Sequence, residues 1–202
     1  MAKVETIQKA LQIFESHNGM LRTQQALNLG IAPRTLYALR DEGYIICLSR
    51  GLYQLADRSV NEHHDLVIAA YSVRQGIVCL ISALAYHHLT TQIPHRVYLA
   101  LPKDAEKPRL EYPPLRLFWF SRESYQAGIE EHRLDGTIVR VYCREKSVAD
   151  CFKFRNKIGL DVTLEALKLY RESEVFNIEK LVVFARIDRV EKVIQPYLEA
   201  LV

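Results

Sequence analysis

The sequence lacks the features typical of membrane, secreted and zinc-binding proteins. Its longest nearly uncharged apolar run, residues 77–86, is about half the length of a bilayer-spanning helix. The first ten residues, MAKVETIQKA, contain no apolar block like that of a secretory signal. The four cysteines form no CxxC pair, which argues against a zinc ribbon or a disulfide scaffold. We therefore expect a soluble cytoplasmic protein whose reduced cysteines are small core residues: Cys47, Cys79, Cys143 and Cys151.

The motifs of the common enzyme classes are also missing. The chain has no G-x-x-x-x-G-K-[ST], G-x-G-x-x-G or G-x-S-x-G sequence, and no D-x-D pair that would hold two metal ions. The histidine pairs at 63–64 and 87–88 are adjacent, whereas ligand pairs on a helix usually stand four residues apart. We expect no catalytic residue, cofactor or metal, and we expect surface or helix-end histidines, with His88 packed under the following strand.

The pattern of residues 1–58 predicts a winged helix-turn-helix. Three helices are expected, followed by two short strands whose hairpin tip is Ser49-Arg50-Gly51. The predicted helices cover residues 4–17, 23–29 and 33–43, and the strands cover 44–48 and 52–55. Thr23 is the expected cap of the second helix. Small Ala26, turn-forming Gly30 and apolar Leu36 have the spacing of a helix-turn-helix.

The third predicted helix presents one face that suits DNA. A helical wheel turns Leu36 and Leu39 inward and Arg34, Tyr37 and Asp41 outward. We assign base reading to Arg34 and Tyr37, because side chains near the start of such a helix reach base edges. The other candidates are expected to contact phosphates. Asp41 argues against DNA binding at this face, because its carboxylate would repel phosphate. The full candidate set for DNA binding is Thr23, Gln24, Arg34, Thr35, Tyr37, Arg40 and Arg50.

Residues 59–202 change to a mixed pattern, which predicts a second domain after a polar linker at residues 57–61. The fold class is therefore α+β: an N-terminal winged helix-turn-helix followed by a mixed α+β domain with a helical C-terminal half. The predicted strands are 77–81, 96–101, 115–120 and 137–143. The predicted helices are 61–75 capped by Asn61, 82–88 capped by Ser82, 146–157, 162–171, 178–185 and 190–201.

The predicted helix 146–157 has two faces. Arg155 falls within its apolar arc, where we expect it to reach the edge or pair with an acid. Lys146, Asp150, Lys153 and Lys157 fall on the opposite arc. Such a stripe is normally solvated. Here Lys146, Lys153 and Lys157 are also candidates for binding a partner.

Several segments resemble the AbiEi antitoxin family. These are residues 23–55 with R-G-L-Y at Arg50–Tyr53, S-A-L at Ser82–Leu84 with His88 behind it, P-H-R-V-Y-L-A-L-P at Pro94–Pro102, and R-E-K-S-V-A-D-C-F-K-F-R at Arg144–Arg155. The last is similar to the family's E-[KR]-[ST]-x-x-D-x-[FL] signature. The helices past about Leu160 have no match in the family's pattern, and their role stays open.

The resemblance implies a type IV antitoxin that is also a transcriptional autorepressor. Its winged helix would bind inverted repeats of double-stranded DNA in its own promoter, as a homodimer on that DNA. Its C-terminal domain would counter a nucleotidyltransferase-like toxin, with or without direct contact. Membranes are not an expected partner.

Two alternatives stay open. The chain could be a winged-helix repressor whose second domain senses a ligand or dimerises. It could also be a nucleic-acid-processing enzyme that the winged helix targets.

Overall fold

The N-terminal part of the chain folds as a winged helix-turn-helix. The computed structural model describes residues 2–57 and 62–200. In chain order, the N-terminal elements are α1 (Ala2–Ser16), β1 (Met20–Arg22), α2 (Thr23–Asn28), α3 (Pro33–Asp41), β2 (Ile45–Ser49) and β3 (Leu52–Leu55). The three strands form an antiparallel sheet in the order β1-β3-β2. The predicted hairpin tip is confirmed, since Arg50 and Gly51 join β2 to β3.

The positions predicted to hold the helix-turn-helix together do so. Ala26 and Leu36 are fully buried, and Gly30 has a φ of +90°, which favours glycine over any residue with a side chain. Leu39 is buried beside Phe14 of α1 in the same core. The spacing of the small residue, the glycine and the apolar residue thus correctly indicated the packing of the helix-turn-helix core.

The remainder of the described chain is a mixed sheet with helices on both faces. The elements that follow are α4 (His64–Ser72), β4 (Ile77–Val78), α5 (Leu80–Tyr86), β5 (Val97–Pro102), β6 (Leu115–Phe120), α6 (Arg122–Gln126), β7 (Ile129–Leu134), β8 (Thr137–Tyr142), α7 (Arg144–Lys153), α8 (Arg155–Ile158), α9 (Leu160–Glu172), α10 (Ile178–Ile187) and α11 (Glu191–Glu199). The strand order is β6-β5-β4-β8-β7. The pairs β5–β6 and β4–β8 are parallel, and β4–β5 and β7–β8 are antiparallel. The predicted α+β class with a helical C-terminal half is confirmed.

Strand β3 connects the winged helix to the core beyond it. Its side chains alternate, so Leu52 packs with Val67 and Val97 while Tyr53 packs in the core of the winged helix. Met20 of β1 packs in the same apolar core as Leu52. Apolar packing therefore couples the two parts of the chain. The predicted linker at 57–61 and the boundary between residues 58 and 59 fall largely outside the described residues, so the division into two domains stays a prediction.

Three short elements were missing from the sequence-based prediction. They are β1, α6 and β7. For β7 a signal was present, because Asp135-Gly136 forms the turn to β8 with positive φ at both residues, and an Asp-Gly pair between strands is typical of a tight hairpin. The polar composition of β7, IEEHRL, concealed the strand.

Two predicted helix starts lie elsewhere in the structure. Helix α5 begins at Leu80, so the strand predicted over 77–81 ends at Val78 and Ser82 lies inside the helix. The Ser82 hydroxyl instead accepts a 3.0 Å hydrogen bond from the Tyr98 backbone N–H. Asn61, the predicted cap of α4, lies outside the described residues, and His63 occupies the N-cap position.

The predicted helix 146–157 is divided at Phe154 into α7 and α8. Arg155 is half-buried and donates a 2.7 Å hydrogen bond to the Phe152 carbonyl. Its partner is thus a backbone carbonyl of its own segment and not the predicted acid of another element.

The cysteines follow the prediction at three of four positions. Cys79, Cys143 and Cys151 are buried free thiols. Cys47 is exposed, and the prediction for it is wrong because it lies on the outer strand β2 of the small sheet.

The buried member of the second histidine pair is His87 and not His88. The His87 ring is buried and its Nε2 lies 2.8 Å from the Tyr142 carbonyl, while His88 is exposed. The prediction that His88 packs under the next strand is therefore wrong. Burial lowers the pKa of His87, and the hydrogen bond to Tyr142 only partly offsets this.

This burial predicts a loss of stability in mild acid. Unfolded His87 takes up a proton near its ordinary pKa of about 6.5, whereas the folded state resists protonation to a lower pH. The free energy of unfolding should therefore be highest above this range and fall as the pH drops through it. Urea denaturation between pH 7.5 and 5 should show a shallower fall for His87→Gln than for the unmodified protein. The exposed position His95 gives the control, and a His95→Gln variant that flattens the slope equally would contradict the assignment.

None of the helices in the described parts of the chain is long and apolar enough to span a bilayer.

Candidate nucleic-acid interface

Helix α3 presents an exposed basic and aromatic face beside its N-terminus. Leu36 and Leu39 anchor the opposite side in the core, so Arg34, Tyr37 and Arg40 are exposed. The N-cap residue, Ala32, has no side-chain oxygen that could satisfy the first backbone N–H groups, and Pro33 follows at the first helical position. Free amides and positive charge at a helix start favour an anionic ligand such as a phosphate.

Arg40 is engaged within this face. Its guanidinium donates two hydrogen bonds to Asp41 Oδ1, at 2.9 and 2.7 Å. The same group lies 5.3 Å from the centroid of the Tyr37 ring. Asp41 therefore reduces the positive charge that Arg40 can offer. Arg34 has no hydrogen bond or ion pair with any described residue, so its charge is free for a ligand.

The other predicted contact residues divide into exposed and packed side chains. Gln24 and Arg50 are exposed, while Thr23 and Thr35 are half-buried. Thr23 is the first residue of α2 and not its cap, which is Arg22. Its N–H donates a 2.9 Å hydrogen bond to the Gly51 carbonyl, so this amide is not available to a phosphate.

The contact between Thr23 and Gly51 fixes the hairpin tip against α2. A Cβ atom at Gly51 would lie 3.2 Å from Thr23 Oγ1, and its φ of +73° is also unfavourable for a side chain. The glycine in the R-G-L-Y sequence thus allows the hairpin tip to approach α2.

A basic cleft of about 690 Å³ lies where the winged helix meets α4. Arg22, Arg74, Lys107 and Arg109 line it together with a single acid, Glu106. Arg22 donates a hydrogen bond to the Tyr71 carbonyl, and Tyr71 donates one to Gln25. Sequence reasoning missed this cluster because its residues come from three distant segments.

The predicted solvated lysine stripe is wrong for Lys146 and Asp150, which are fully buried in α7. Lys146 forms ion pairs with Asp150 and with Asp188, the latter at 3.1 Å. Lys153 also reaches Asp188 at 3.1 Å. Lys157 lies in the separate helix α8 and is the exposed member of the three lysines. Helix α10 and the residue that follows it cover this face of α7, which a helical wheel cannot show.

Lys146 and Asp188 compensate each other's charge, whereas burial favours the neutral form of Asp150. Burial alone would lower the pKa of Lys146, but Asp150 and Asp188 raise it above its ordinary value. Burial raises the pKa of Asp150 well above its usual range, whereas Lys146 and Lys153 outweigh burial at Asp188 and lower its pKa. Lys146 therefore belongs to the core, and a partner-binding role is left as a prediction for Lys153 and Lys157.

The ion pair between Arg40 and Asp41 predicts that removing the carboxylate strengthens DNA binding. Asp41→Asn releases the Arg40 guanidinium and deletes a negative charge from the outward face. We expect DNA affinity to rise several-fold at low salt, with a steeper loss of affinity as salt is added. Fluorescence anisotropy across a salt series measures both effects. Glu15→Gln makes the same charge change on α1, and an equal gain there would mean that only net charge matters.

No group of three or more histidine, cysteine, aspartate or glutamate side chains is arranged to hold a metal ion within residues 2–57 and 62–200.

The fold and the exposed face of α3 together define a winged helix-turn-helix protein of the kind that binds DNA. Residues 8–56 match the model of a family described as a transcriptional regulator, AbiEi antitoxin. The match confirms the resemblance to the AbiEi family over the winged helix and supports the assignments antitoxin, toxin–antitoxin system, transcriptional regulator and DNA-binding. No curated protein matches the chain.

Proposed function

We propose that this protein binds double-stranded DNA at inverted repeats in its own promoter and represses transcription there. The observation that carries the proposal is the free, exposed Arg34 beside Tyr37 at the start of α3, on a segment that matches a family of transcriptional regulators. In this arrangement α3 enters the major groove with Arg34 and Tyr37 at base edges. Arg40, Arg50, Gln24 and the hydroxyl groups of Thr23 and Thr35 contact phosphates.

Two copies of the chain bind one operator in this proposal. Inverted repeats present two equivalent half-sites, and a homodimer places one recognition helix in each. Size-exclusion chromatography with light scattering, with and without operator DNA, measures the stoichiometry.

We further propose that residues 59–202 oppose a nucleotidyltransferase-like toxin while residues 1–58 bind the promoter. The family description names an antitoxin, and it rests on the N-terminal match. The protein carries no catalytic role in this scheme. Because Met20 and Leu52 pack into the core beyond the winged helix, the two activities should be separated by point variants of the full chain rather than by truncation.

Footprinting on the gene's own upstream region tests the proposal directly. We expect protection of an inverted repeat, and we expect affinity to fall steeply with added salt because neutralised phosphates release counterions. A scrambled duplex of equal length is the matched control. Equal affinity for both duplexes would exclude a specific operator in that region, and an affinity independent of salt would exclude phosphate contacts.

The proposed antitoxin activity needs an assay separate from DNA binding. The full chain and its Arg34→Ala variant are each co-expressed with a nucleotidyltransferase-like toxin, and growth is followed. We expect both to restore growth while the variant alone loses promoter binding. Failure of the unmodified chain to restore growth would reject the antitoxin role and leave the repressor role standing.

A further inference from the structure

The basic cleft between the winged helix and α4 holds as much net positive charge as the whole chain. Four cations and one carboxylate line its volume of about 690 Å³: Arg22, Arg74, Lys107, Arg109 and Glu106. Together they carry a net charge of +3, which is the formal net charge of all 202 residues. A concave site lined mainly by charges of one sign focuses their field, so the cleft attracts anions.

The cations of the cleft are not neutralised by acidic side chains. Within residues 2–57 and 62–200, none of the four forms an ion pair. Arg22 donates a hydrogen bond to the Tyr71 carbonyl and lies 5.3 Å from the centroid of the Tyr71 ring, and neither contact removes its charge. Arg140 donates a hydrogen bond to the Arg74 carbonyl, so a fifth cation lies beside the cleft. These charges are available to an anionic ligand.

Ser72 adds a hydrogen-bond donor to the cleft. Its Oγ is buried and has no hydrogen-bond partner among the described residues. A buried hydroxyl without a partner is costly, and an oxygen of a ligand would satisfy it. Only a group that enters the cleft reaches this atom, whereas duplex DNA on the surface reaches the exposed side chains of Arg74, Lys107 and Arg109. The volume also lies in the range of small-molecule sites, about 300–1,000 Å³.

We propose that this cleft binds a small ligand through two or three linked phosphate groups, such as those of a nucleoside triphosphate or an inorganic oligophosphate. Guanidinium groups bind phosphate oxygens in a bidentate manner. A single terminal phosphate carries only about −1.5 to −2 charges at pH 7, so linked phosphates are needed to match the charge of the cleft. Arg22 caps α2 of the winged helix and Arg74 follows α4, so one ligand contacts both parts of the chain.

Isothermal titration calorimetry without DNA tests the chemistry of the ligand. The probes are inorganic triphosphate, ATP and orthophosphate, each added to the full-length protein in EDTA at equal ionic strength. We expect triphosphate to bind at least tenfold more tightly than orthophosphate. Equal affinities for triphosphate and ATP would show that the phosphates alone are recognised, and tighter binding of ATP would identify a nucleotide as the ligand. No binding of triphosphate, or binding no tighter than that of orthophosphate, would overturn the proposal.

Two double variants test the location. Arg74→Gln with Arg109→Gln should weaken triphosphate binding at least tenfold. Lys168→Gln with Arg171→Gln removes the same number of charges from exposed positions on α9, and it should change the affinity less than twofold. Thermal unfolding confirms that each variant is folded before binding is compared. An equal loss in both double variants would mean that only net charge matters, and the proposal would be wrong.

Ser72→Ala separates the small ligand from DNA as the occupant of the cleft. We expect this variant to bind triphosphate several-fold more weakly, with its affinity for a DNA duplex unchanged within twofold. The ligand is measured without DNA, so the result does not depend on the proposed repressor function. If Ser72→Ala and the Arg74, Arg109 double variant lose affinity for the duplex while both still bind triphosphate normally, the cleft holds the DNA backbone and not a small ligand.

Discussion

Arg34→Ala and Tyr37→Ala are expected to remove most of the protein's preference for its operator over a scrambled duplex. Both side chains project from the exposed face of α3, and Arg34 stands at the helix start with no partner in the described residues. A good base contact contributes about 1–3 kcal/mol of discrimination, which corresponds to roughly a fivefold to 150-fold change in the affinity ratio. Competition binding with operator and scrambled duplexes measures this ratio for each variant.

Arg50→Ala is the matched control for this prediction. Arg50 lies at the hairpin tip, which the contact between Thr23 and Gly51 holds against α2. A cation there positions the protein on phosphates without reading bases, so its loss should weaken both duplexes to a similar extent. If the ratio and the affinity are unchanged in all three variants, DNA binds to another face of the protein.

Lys146→Met is expected to destabilise the protein by about 3–5 kcal/mol. The substitution keeps most of the side-chain volume but deprives Asp150 and Asp188 of the cation that they share in the core. Asp150 loses its ion pair with Lys146, and Asp188 keeps Lys153. Removing one member of a buried charge cluster is costly because the desolvated partners are left uncompensated. Urea denaturation at pH 7 measures the loss.

The exposed position Lys157 gives the control for this effect. Lys157→Met should change the free energy of unfolding by less than about 0.5 kcal/mol, as most surface substitutions do. The difference between the unmodified protein and Lys146→Met should also shrink towards pH 3. Protonation neutralises the Asp188 carboxylate that the variant leaves without Lys146, and it removes the stability that the lowered pKa of Asp188 gives the unmodified protein. A loss below 1 kcal/mol at pH 7 would show that the cluster contributes little net stability.

The helical wheel predicted the exposed face of α3 correctly and the charged face of α7 wrongly. Arg34 and Tyr37 were identified from a helical wheel, and the structure leaves both exposed. The wheel succeeded because α3 is a short helix that packs against the rest of the domain through one face, which Leu36 and Leu39 mark. The roles of the two residues in DNA binding stay predictions until binding is measured.

The same reasoning failed at α7 for a physical reason. The wheel separated an apolar arc from a charged arc correctly, but residues 145–152 are buried on all sides. A helix in the middle of a core can bury its charged arc when another element supplies opposite charges, and here Asp188 lies 42 residues further along the chain from Lys146. Periodicity describes one helix at a time and therefore contains no information about that partner.

The sequence by itself determined the winged helix-turn-helix, its hairpin tip and the α+β class, because local spacing and turn residues encode short-range structure. Only the tertiary structure decided which charges are buried, how β3 ties the winged helix to the larger sheet, and where cations from distant segments form the basic cleft. These features depend on contacts between residues far apart in the chain, whose energies no local pattern records.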